Sequence, residues 1–328
     1  MTDVARRAGV SHQTVSRVLN GHPSIRPETR ERVQRAIDDM GYRRNRAARA
    51  LVTRRTLTIG VVAASAPLFG PASTLAGVER AAHAAGYATI LSTADAGSRD
   101  GVLARVAQLA DRGVDGLVVT APLHEVPDLL EHLPPGLPTV CATGGPVDGL
   151  ASVHVDHRAG ARAVTELLLR LGHREVRHVG GSPGWSEAVE REAGWRDALV
   201  AAGLAPAPVL DGGWSAAEGY AAGLALADVP ATAVVAANDQ LALGLLRALR
   251  ERGVDVPGHV SVTGFDDAPE SGYLSPPLTT VRQDLARVGR EAVHLLLARL
   301  AGTGDADVEH RVVAPELVVR ASTGPAPA

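Results

Sequence analysis

Three side chains with hydrogen-bonding chemistry follow predicted strands, either directly or in the next helix. Asn238 follows one β-branched segment, Asp266 follows another, and Arg191 lies in the predicted helix after a third. A carboxylate accepts from two neighbouring hydroxyls, an amide both donates and accepts, and a guanidinium offers a rigid fork of donors. These groups are suited to a small polyhydroxylated ligand. The alternative is that they cap helices and have no ligand role.

Aromatic and aliphatic side chains could form the apolar walls of the same site. Trp214, in the loop segment Gly212-Gly-Trp-Ser215, offers a flat face for a sugar ring and is one of only nine aromatic residues. Leu68, Phe69 and Trp185 are expected to complete the walls. An ordinary packing role remains open for Phe69 and Trp185.

A hydrolase motif is also present in the sequence. Gly180-Gly-Ser-Pro-Gly184 fits the G-x-S-x-G pattern of a nucleophile between a strand and a helix. However, the residue after the nucleophile must donate its backbone N–H to the oxyanion, and Pro183 has none. The sequence therefore predicts no enzyme.

Two polar clusters could suggest a metal site. The first consists of Asp239, Asp266 and Asp267. Because the adjacent side chains of Asp266 and Asp267 would diverge at a strand end, no octahedral set of oxygen ligands is evident. The second, interpreted as a solvated loop cluster, consists of His154, Asp156 and His157. We expect neither a metal nor a cofactor.

From Thr56 onward, β-branched segments alternate with Ala- and Leu-rich helical segments. The predicted strands are 58–62, 88–91, 116–119, 139–141, 152–155, 176–179, 234–236 and 260–264. The predicted helices are 74–85, 101–112, 158–171, 187–202, 215–227, 239–252 and 285–300. This alternation predicts an α/β fold with parallel sheets covered on both faces, which bind ligands at the carboxyl ends of their strands.

The first fifty-five residues differ from the rest of the chain in charge. They hold thirteen arginines against five acids, a local net charge of +8, whereas the remainder carries −11. Such asymmetry indicates a nucleic-acid or membrane-surface partner. No segment reaches the roughly 18 apolar residues that span a bilayer, and no apolar signal segment follows Met1. We therefore expect a cytoplasmic protein with no membrane partner.

Residues 3–19 have the spacing of a helix-turn-helix. Predicted helices over 3–8 and 12–19 flank a turn in which Gly9 allows a positive φ and Ser11 can cap the second helix. A third helix is indicated by Pro27 near its first position. Residues 1–44 are thus predicted to form an all-α DNA-binding domain.

In such a domain the second helix enters the major groove, so its exposed residues are candidates for DNA contacts. Gln13 suits adenine, Arg17 suits guanine, and His12 is placed beside them. Side chains expected to contact phosphates or the DNA backbone are Ser11, Thr14 and Ser16. The alternative is a solvated arginine-rich face.

Seven motifs in chain order carry a family resemblance. The longest is Asp3-Val-Ala-Arg-Arg-Ala-Gly-Val-Ser-His-Gln-Thr-Val-Ser-Arg-Val-Leu-Asn20, followed by Arg26-Pro-Glu-Thr-Arg30. The others are 45–51, 58–61, 113–117, 237–244, 262–267 and 277–284. The chain resembles the LacI/GalR (lactose-repressor/galactose-repressor) family of bacterial transcription regulators, and the predicted DNA contacts accordingly include Asn20.

The resemblance implies that residues 45–55 are a linker containing a hinge helix that forms on operator DNA. Leu51 would wedge into the minor groove at the dyad, and Arg46 and Arg49 would meet phosphates. An ordinary linker leucine is the alternative. The family usually has Pro where this chain has Arg44, so we expect a less rigid entry to the hinge.

The resemblance also implies that residues 56–328 form a periplasmic-binding-protein-like core of two parallel-sheet lobes joined by three crossovers. Lobe 1 is expected over about 56–153 and 285–309, and lobe 2 over about 154–281 and 312–322. The predicted effector-binding residues are Leu68, Phe69, Thr143, Trp185, Arg191, Trp214, Asn238, Asp266 and Gln283.

The combined prediction is a homodimeric repressor of a near-palindromic operator, controlled by a small carbohydrate. Galactoside-responsive members place an aspartate where this chain has Thr143, so a simple galactoside is not expected. A non-sugar effector such as a nucleobase, or a sugar-binding protein without a DNA function, remains an alternative. Whether the effector releases the protein from DNA or strengthens its binding stays open.

Overall fold

The chain divides into two compact units, Met1–Thr56 and Leu57–Ala328. A computed structural model describes residues 1–19, 22–42, 55–65, 68–95, 98–121, 129–226, 230–303 and 308–327. Within these residues, no helix is long and apolar enough to cross a membrane.

The first unit is a three-helix domain, as predicted. Its helices are α1 (Thr2–Ala8), α2 (His12–Leu19) and α3 (Pro27–Asp39). Gly9 ends α1 in the left-handed conformation at φ 62°, which glycine adopts without steric cost. The small shared core consists of Val4, Ala5, Ala8, Val15, Val18, Val33 and Ala36.

The second unit alternates strands and helices. Its strands are β1 (Thr58–Ala64), β2 (Ala88–Ala94), β3 (Gly116–Val119), β4 (Thr139–Ala142), β5 (Ala151–Val155), β6 (Val176–Val179), β7 (Ala233–Ala236), β8 (Ser261–Thr263), β9 (Thr280–Arg282), β10 (His310–Val313) and β11 (Glu316–Val318). Its helices are α4 (Phe69–Ala84), α5 (Arg99–Asp111), α6 (Leu129–His132), α7 (His157–Arg170), α8 (Ser186–Ala201), α9 (Ala216–Leu226), α10 (Asp239–Glu251) and α11 (Leu285–Leu300).

Lobe 1 is built on a six-stranded parallel sheet in the order β10-β5-β4-β3-β1-β2. Because side chains alternate across a strand, Val61 packs on one face with α4 and α11, and Val62 packs on the other face with α5. Cys141 of β4 is fully buried, and burial raises the pKa of its thiol to about 12. Cys141 is the only cysteine of the sequence, and it packs in the core of lobe 1.

Lobe 2 is built on the parallel strands β6-β7-β8, with an antiparallel pair of β9 and β11 beside them. Val234 and Ala236 pack against α9 and α10 on one face. Ala233 and Val235 pack against α7 and α8 on the other. The sheet is therefore covered on both faces, as the unbroken run of buried residues in β7 requires.

The chain passes between the two lobes three times, after β5, after β9 and after β10. The sequence did not predict the last three strands, which are only three or four residues long. β10 pairs with β5 in the sheet of lobe 1, so the final passage to lobe 2 follows Val313. Helix α4 begins at Phe69, five residues before its predicted start.

Candidate functional site

A cavity lies between the two lobes, at the carboxyl ends of strands from both sheets, with an empty volume of about 650 Å³ that includes its open mouth. It is lined by Leu68, Gly70, Pro71, Thr74, Thr120, Ala142, Thr143, Val155, His157, Trp185, Glu187, Arg191, Trp214, Asn238, Asp266, Gln283, Leu285 and Val288. Eight of the nine residues predicted to bind the effector are in this set.

Arg191, Asp266 and Gln283 form the polar centre of the cavity. Arg191 Nη1 lies 3.6 Å from Asp266 Oδ1, and Gln283 Nε2 donates a 2.5 Å hydrogen bond to the same oxygen. Gln283 Oε1 is buried and has no hydrogen-bond partner among the described residues. A buried acceptor without a donor is costly, so this oxygen is suited to a ligand hydroxyl or amine.

Asp266 is held in a sparsely populated backbone conformation after β8. Its φ is 126°, and its N–H donates to the carbonyl of Val281 at 2.8 Å. Burial raises the pKa of its carboxyl to about 7 against the opposing charge of Arg191. Local strain of this kind clusters at ligand sites because the surrounding structure must hold it in place.

Arg191 is itself almost fully enclosed, with 5 % of its surface exposed. It lies over the ring of Phe265, 4.1 Å from the centroid, and Nη1 donates to the carbonyl of Ala237. Its Nε donates to His157 Nδ1 at 3.3 Å. Because these contacts fix the guanidinium, its remaining donor capacity has a defined direction.

The interpretation of His154, Asp156 and His157 as a solvated loop cluster is wrong. His157 is 4 % exposed and lines the cavity, and burial, followed by the charge of Arg191, lowers its pKa well below the usual value. Asp156 caps α7 by accepting from the N–H of Ala159 at 2.9 Å. Strand β5 ends at Val155, and His157, the first residue of α7, reaches the cavity from the carboxyl edge of the sheet.

Glu187 is a cavity residue that the sequence analysis did not identify. It lies in the first turn of α8, and its Oε2 accepts from Ser186 Oγ at 3.3 Å. Burial raises the pKa of its carboxyl. A methyl group on Gly144 of lobe 1 would lie 2.8 Å from the Glu187 carboxyl carbon, so this side chain crosses the cleft.

Two tryptophans form the apolar wall on the lobe 2 side. The rings of Trp185 and Trp214 meet edge to face with their centroids 5.4 Å apart. Trp214 Nε1 is buried without a hydrogen-bond partner among the described residues. A side chain at Gly181 would collide with the Trp214 ring, which gives the Gly-Gly-Ser-Pro-Gly segment a packing role.

Asn238 lines the cavity and also caps a helix. Its Oδ1 accepts from the N–H of Leu241 at 2.8 Å, and its Nδ2 donates to the carbonyl of Trp214 at 3.1 Å. Both ends of the amide are therefore used within the protein. The capping role considered from the sequence is present, and it fixes the tryptophan loop.

Two predicted wall residues differ in placement. Leu68 lines the cavity, whereas Phe69, the first residue of α4, is half-buried outside the lining. Thr143 lines the cavity at the end of β4, and its hydroxyl donates to the carbonyl of Gly145 at 3.2 Å.

The predicted DNA-contact residues lie on or beside α2. Ser11, His12, Gln13 and Arg17 are exposed, and Thr14 and Ser16 are half-buried. Ser11 Oγ accepts from the N–H of Thr14 at 3.1 Å, which confirms the predicted cap. Four other predicted DNA residues lie outside the described residues, namely Asn20, Arg46, Arg49 and Leu51, as does Arg44.

The cavity has the groups of a binding site for a hydroxylated molecule. Across the described ranges, no group of three or more histidine, cysteine, aspartate or glutamate side chains is placed to hold a metal ion. The carboxylates and the guanidinium can instead bind hydroxyls, and the tryptophans can cover an apolar ring face.

Comparison with known proteins gives matches to both units. Residues 1–45 match "Bacterial regulatory proteins, lacI family", and residues 150–323 match "Periplasmic binding protein-like domain". The HTH-type transcriptional regulator CelR of Thermobifida fusca is 37 % identical over 334 residues, which cover 97 % of this chain and 96 % of that protein.

Two solved structures are similar over nearly the whole length. The lac repressor dimer bound to operator and the anti-inducer ONPF gives a TM-score of 0.91 at 32 % identity, with 98 % of each chain covered. The CelR–cellobiose complex gives a TM-score of 0.72 at 34 % identity, also with 98 % of each chain covered.

Proposed function

The chain belongs to the lacI family of bacterial regulatory proteins, and from this premise we propose that a small sugar in the cleft cavity controls its binding to operator DNA. The protein is a DNA-binding transcription regulator. In the proposed mechanism the sugar binds reversibly, and it binds one arrangement of the two lobes more tightly than another.

The observation that carries the proposal is the polar centre opposite the tryptophan wall. Asp266 and Gln283 present acceptors, Arg191 presents a fixed donor, and Trp214 presents a flat ring with an unpartnered N–H among the described residues. Hydroxyl groups on one side of a ring and C–H groups on its face match this arrangement. The related CelR structure contains cellobiose.

For DNA, we propose that α2 enters the major groove and that its exposed His12, Gln13 and Arg17 contact base edges. Two copies would bind a near-palindromic operator, one half-site each. The lac repressor structure, a dimer on its operator, supports this arrangement. Sedimentation at twice 33.9 kDa is expected, and a stable tetramer would contradict it.

The test is fluorescence anisotropy on labelled DNA from upstream of the gene for this chain, at fixed salt. The titration is repeated with ribose, glucose, galactose, cellobiose, lactose and maltose, and with adenine and guanine as the nucleobase alternative. We expect one sugar to change operator affinity by about 5- to 150-fold, the usual range for allosteric coupling. A response to the bases alone would reject the sugar proposal.

Asp266→Ala tests whether the response comes from the cavity. We expect this variant to bind the operator with wild-type affinity and to lose the response, because Asp266 lies in the second unit and lines the cavity. Calorimetric sugar affinity equal to that of the wild type would show that the sugar binds elsewhere.

A further inference from the structure

Glu187 changes the balance of charge in the cavity. The charged groups that line it are Asp266, Glu187 and Arg191, two carboxyls against one guanidinium. His157 does not redress the balance, because burial and Arg191 hold its pKa well below the usual value. Asp239, a buried carboxyl outside the lining, lies close enough to Asp266 to raise the pKa of Asp266.

Asp239 has a structural role that Glu187 lacks. Its oxygens accept from the hydroxyls of Ser271 and Thr280 and from the N–H of Ala268, at 2.5 to 2.8 Å. Glu187 has one such bond from another residue, at 3.3 Å from the adjacent Ser186. Its carboxylate therefore retains acceptor capacity on the wall of the cavity.

The Glu187 carboxylate lies beside the lobe 1 wall of the cavity. A methyl group on Gly144 would lie 2.7 Å from the backbone nitrogen of Glu187 and 2.8 Å from its carboxyl carbon. The neighbouring Thr143 has only a hydroxyl, and that hydroxyl donates to Gly145. Helix α8 thus supplies a carboxylate to a wall whose own strand end, β4, supplies none.

We propose that Glu187 is a specificity-determining residue, whose carboxylate accepts hydrogen bonds from an uncharged sugar and excludes sugar acids and sugar phosphates. This inference rests on the proposed sugar site. A phosphate or carboxylate group offers oxygen acceptors where Glu187 and Gln283 Oε1 need hydrogen-bond donors, and an ionised Glu187 would repel its negative charge. Hydroxyl donors would instead satisfy Glu187 and the orphaned Gln283 Oε1.

The test is isothermal titration calorimetry on the full chain with matched pairs of sugars. The pairs are glucose and glucose 6-phosphate, ribose and ribose 5-phosphate, and cellobiose and cellobiose 6′-phosphate. We expect the wild type to bind one uncharged member and to bind its phosphorylated counterpart at least about tenfold more weakly. Equal affinity for both members of the bound pair would overturn the inference.

Three variants assign the discrimination to Glu187. Glu187→Ala should weaken the uncharged sugar by about tenfold, and Glu187→Gln should narrow the gap between the paired sugars because it removes one negative charge. Glu190→Gln makes the same chemical change on α8 outside the cavity lining and should match the wild type. Thermal unfolding of each variant checks that the second unit, which holds Glu187, is folded.

The outcomes separate the inference from the proposed function. If an uncharged sugar binds and changes operator affinity, but Glu187→Ala and Glu187→Gln behave like Glu190→Gln, the inference alone fails. If the wild type binds neither member of any pair and responds to none of the sugars in the operator titration, the sugar site and the inference fail together. The operator titration without sugar still tests the DNA function.

Discussion

Asp266 is subject to opposing influences on one carboxyl group. Burial favours its neutral form, the charge of Arg191 and the hydrogen bond from Gln283 favour its ionised form, and Asp239 and Glu187 again favour the neutral form. Burial is the largest of these, so the carboxyl of the folded chain takes up a proton more readily than that of the unfolded chain.

This preference predicts how stability changes with pH. The folded pKa of about 7 lies above the ordinary value of 3.8, so between these values the folded state holds a proton that the unfolded state has lost. Stability should therefore fall as pH rises through this window, by up to about 1.4 kcal/mol per unit. Asp266→Asn has no such proton.

Thermal unfolding of both proteins at pH 5, 6 and 7.5 measures the effect. The unfolding midpoint of Asp266→Asn, relative to the wild type, should rise across the series. The comparison removes the contribution of ionisable groups that do not interact with Asp266. Arg191, Glu187 and Asp239 do interact with its carboxyl, so the difference reports the titration of this cluster. A constant difference between the two midpoints would show that Asp266 does not titrate in this window.

At this scale the sequence predicts residue chemistry better than residue contacts. Arg191, Asp266 and Asn238 could be predicted because each follows a recognisable strand, and parallel strands bring such positions to one edge. Glu187 also follows a strand, β6, but its position between the lobes depends on a contact with Gly144. That residue is 43 positions away in the sequence. No local pattern reports a contact made across two lobes.

Among the elements, the first turn of α8 and the end of β4 form a close contact across the cleft. A methyl group on Gly144 would lie 2.6 Å from Ser186 Oγ and 2.7 Å from the nitrogen of Glu187. At Gly145, the next residue, a methyl group would meet nothing within 4 Å. An added side chain therefore has no room at Gly144 but is accommodated at the neighbouring Gly145.

We expect Gly144→Ala to weaken sugar binding by at least about tenfold, because the added methyl group must push α8 away and widen the cavity. Gly145→Ala is the matched control and should bind sugar within about twofold of the wild type. Calorimetry with the sugar identified in the operator titration makes the measurement. Equal affinities for the two variants would show that the lobes do not need this contact.

The sequence pattern predicts eight of the eleven strands described in the second unit and misses the last three. The eight predicted strands exist because each has enough consecutive β-branched or apolar residues to be recognised. β9, β10 and β11 were not predicted although β8, which was predicted, is no longer than they are. β10 pairs with β5, which lies more than 150 residues earlier in the chain. Their position depends on the packed lobes rather than on local sequence.

At the scale of the whole molecule, the two units differ in net charge and in the exposure of their candidate binding residues. The first fifty-five residues carry a net charge of +8, and the remainder carries −11. In the first unit, the candidate DNA residues Ser11, His12, Gln13 and Arg17 are exposed, whereas the polar centre in the second unit is buried. Ionic strength should therefore affect operator binding and sugar binding differently.

Operator affinity should fall steeply with salt, because arginines that neutralise phosphates release condensed counterions. If two copies make six to ten phosphate contacts, the association constant falls by about 10³ to 10⁵ between roughly 50 and 200 mM salt. An uncharged sugar releases no counterions, and its affinity should change by less than about twofold over the same range.

Anisotropy for the operator and calorimetry for the sugar, in the same buffers, test both halves of this expectation. A flat operator curve would reject binding through the basic unit, since phosphate neutralisation cannot be independent of salt. A sugar affinity that falls steeply would show that the ligand is charged, against the assignment of Glu187. Because each curve can fail while the other holds, the pair of measurements tests the function of each unit separately.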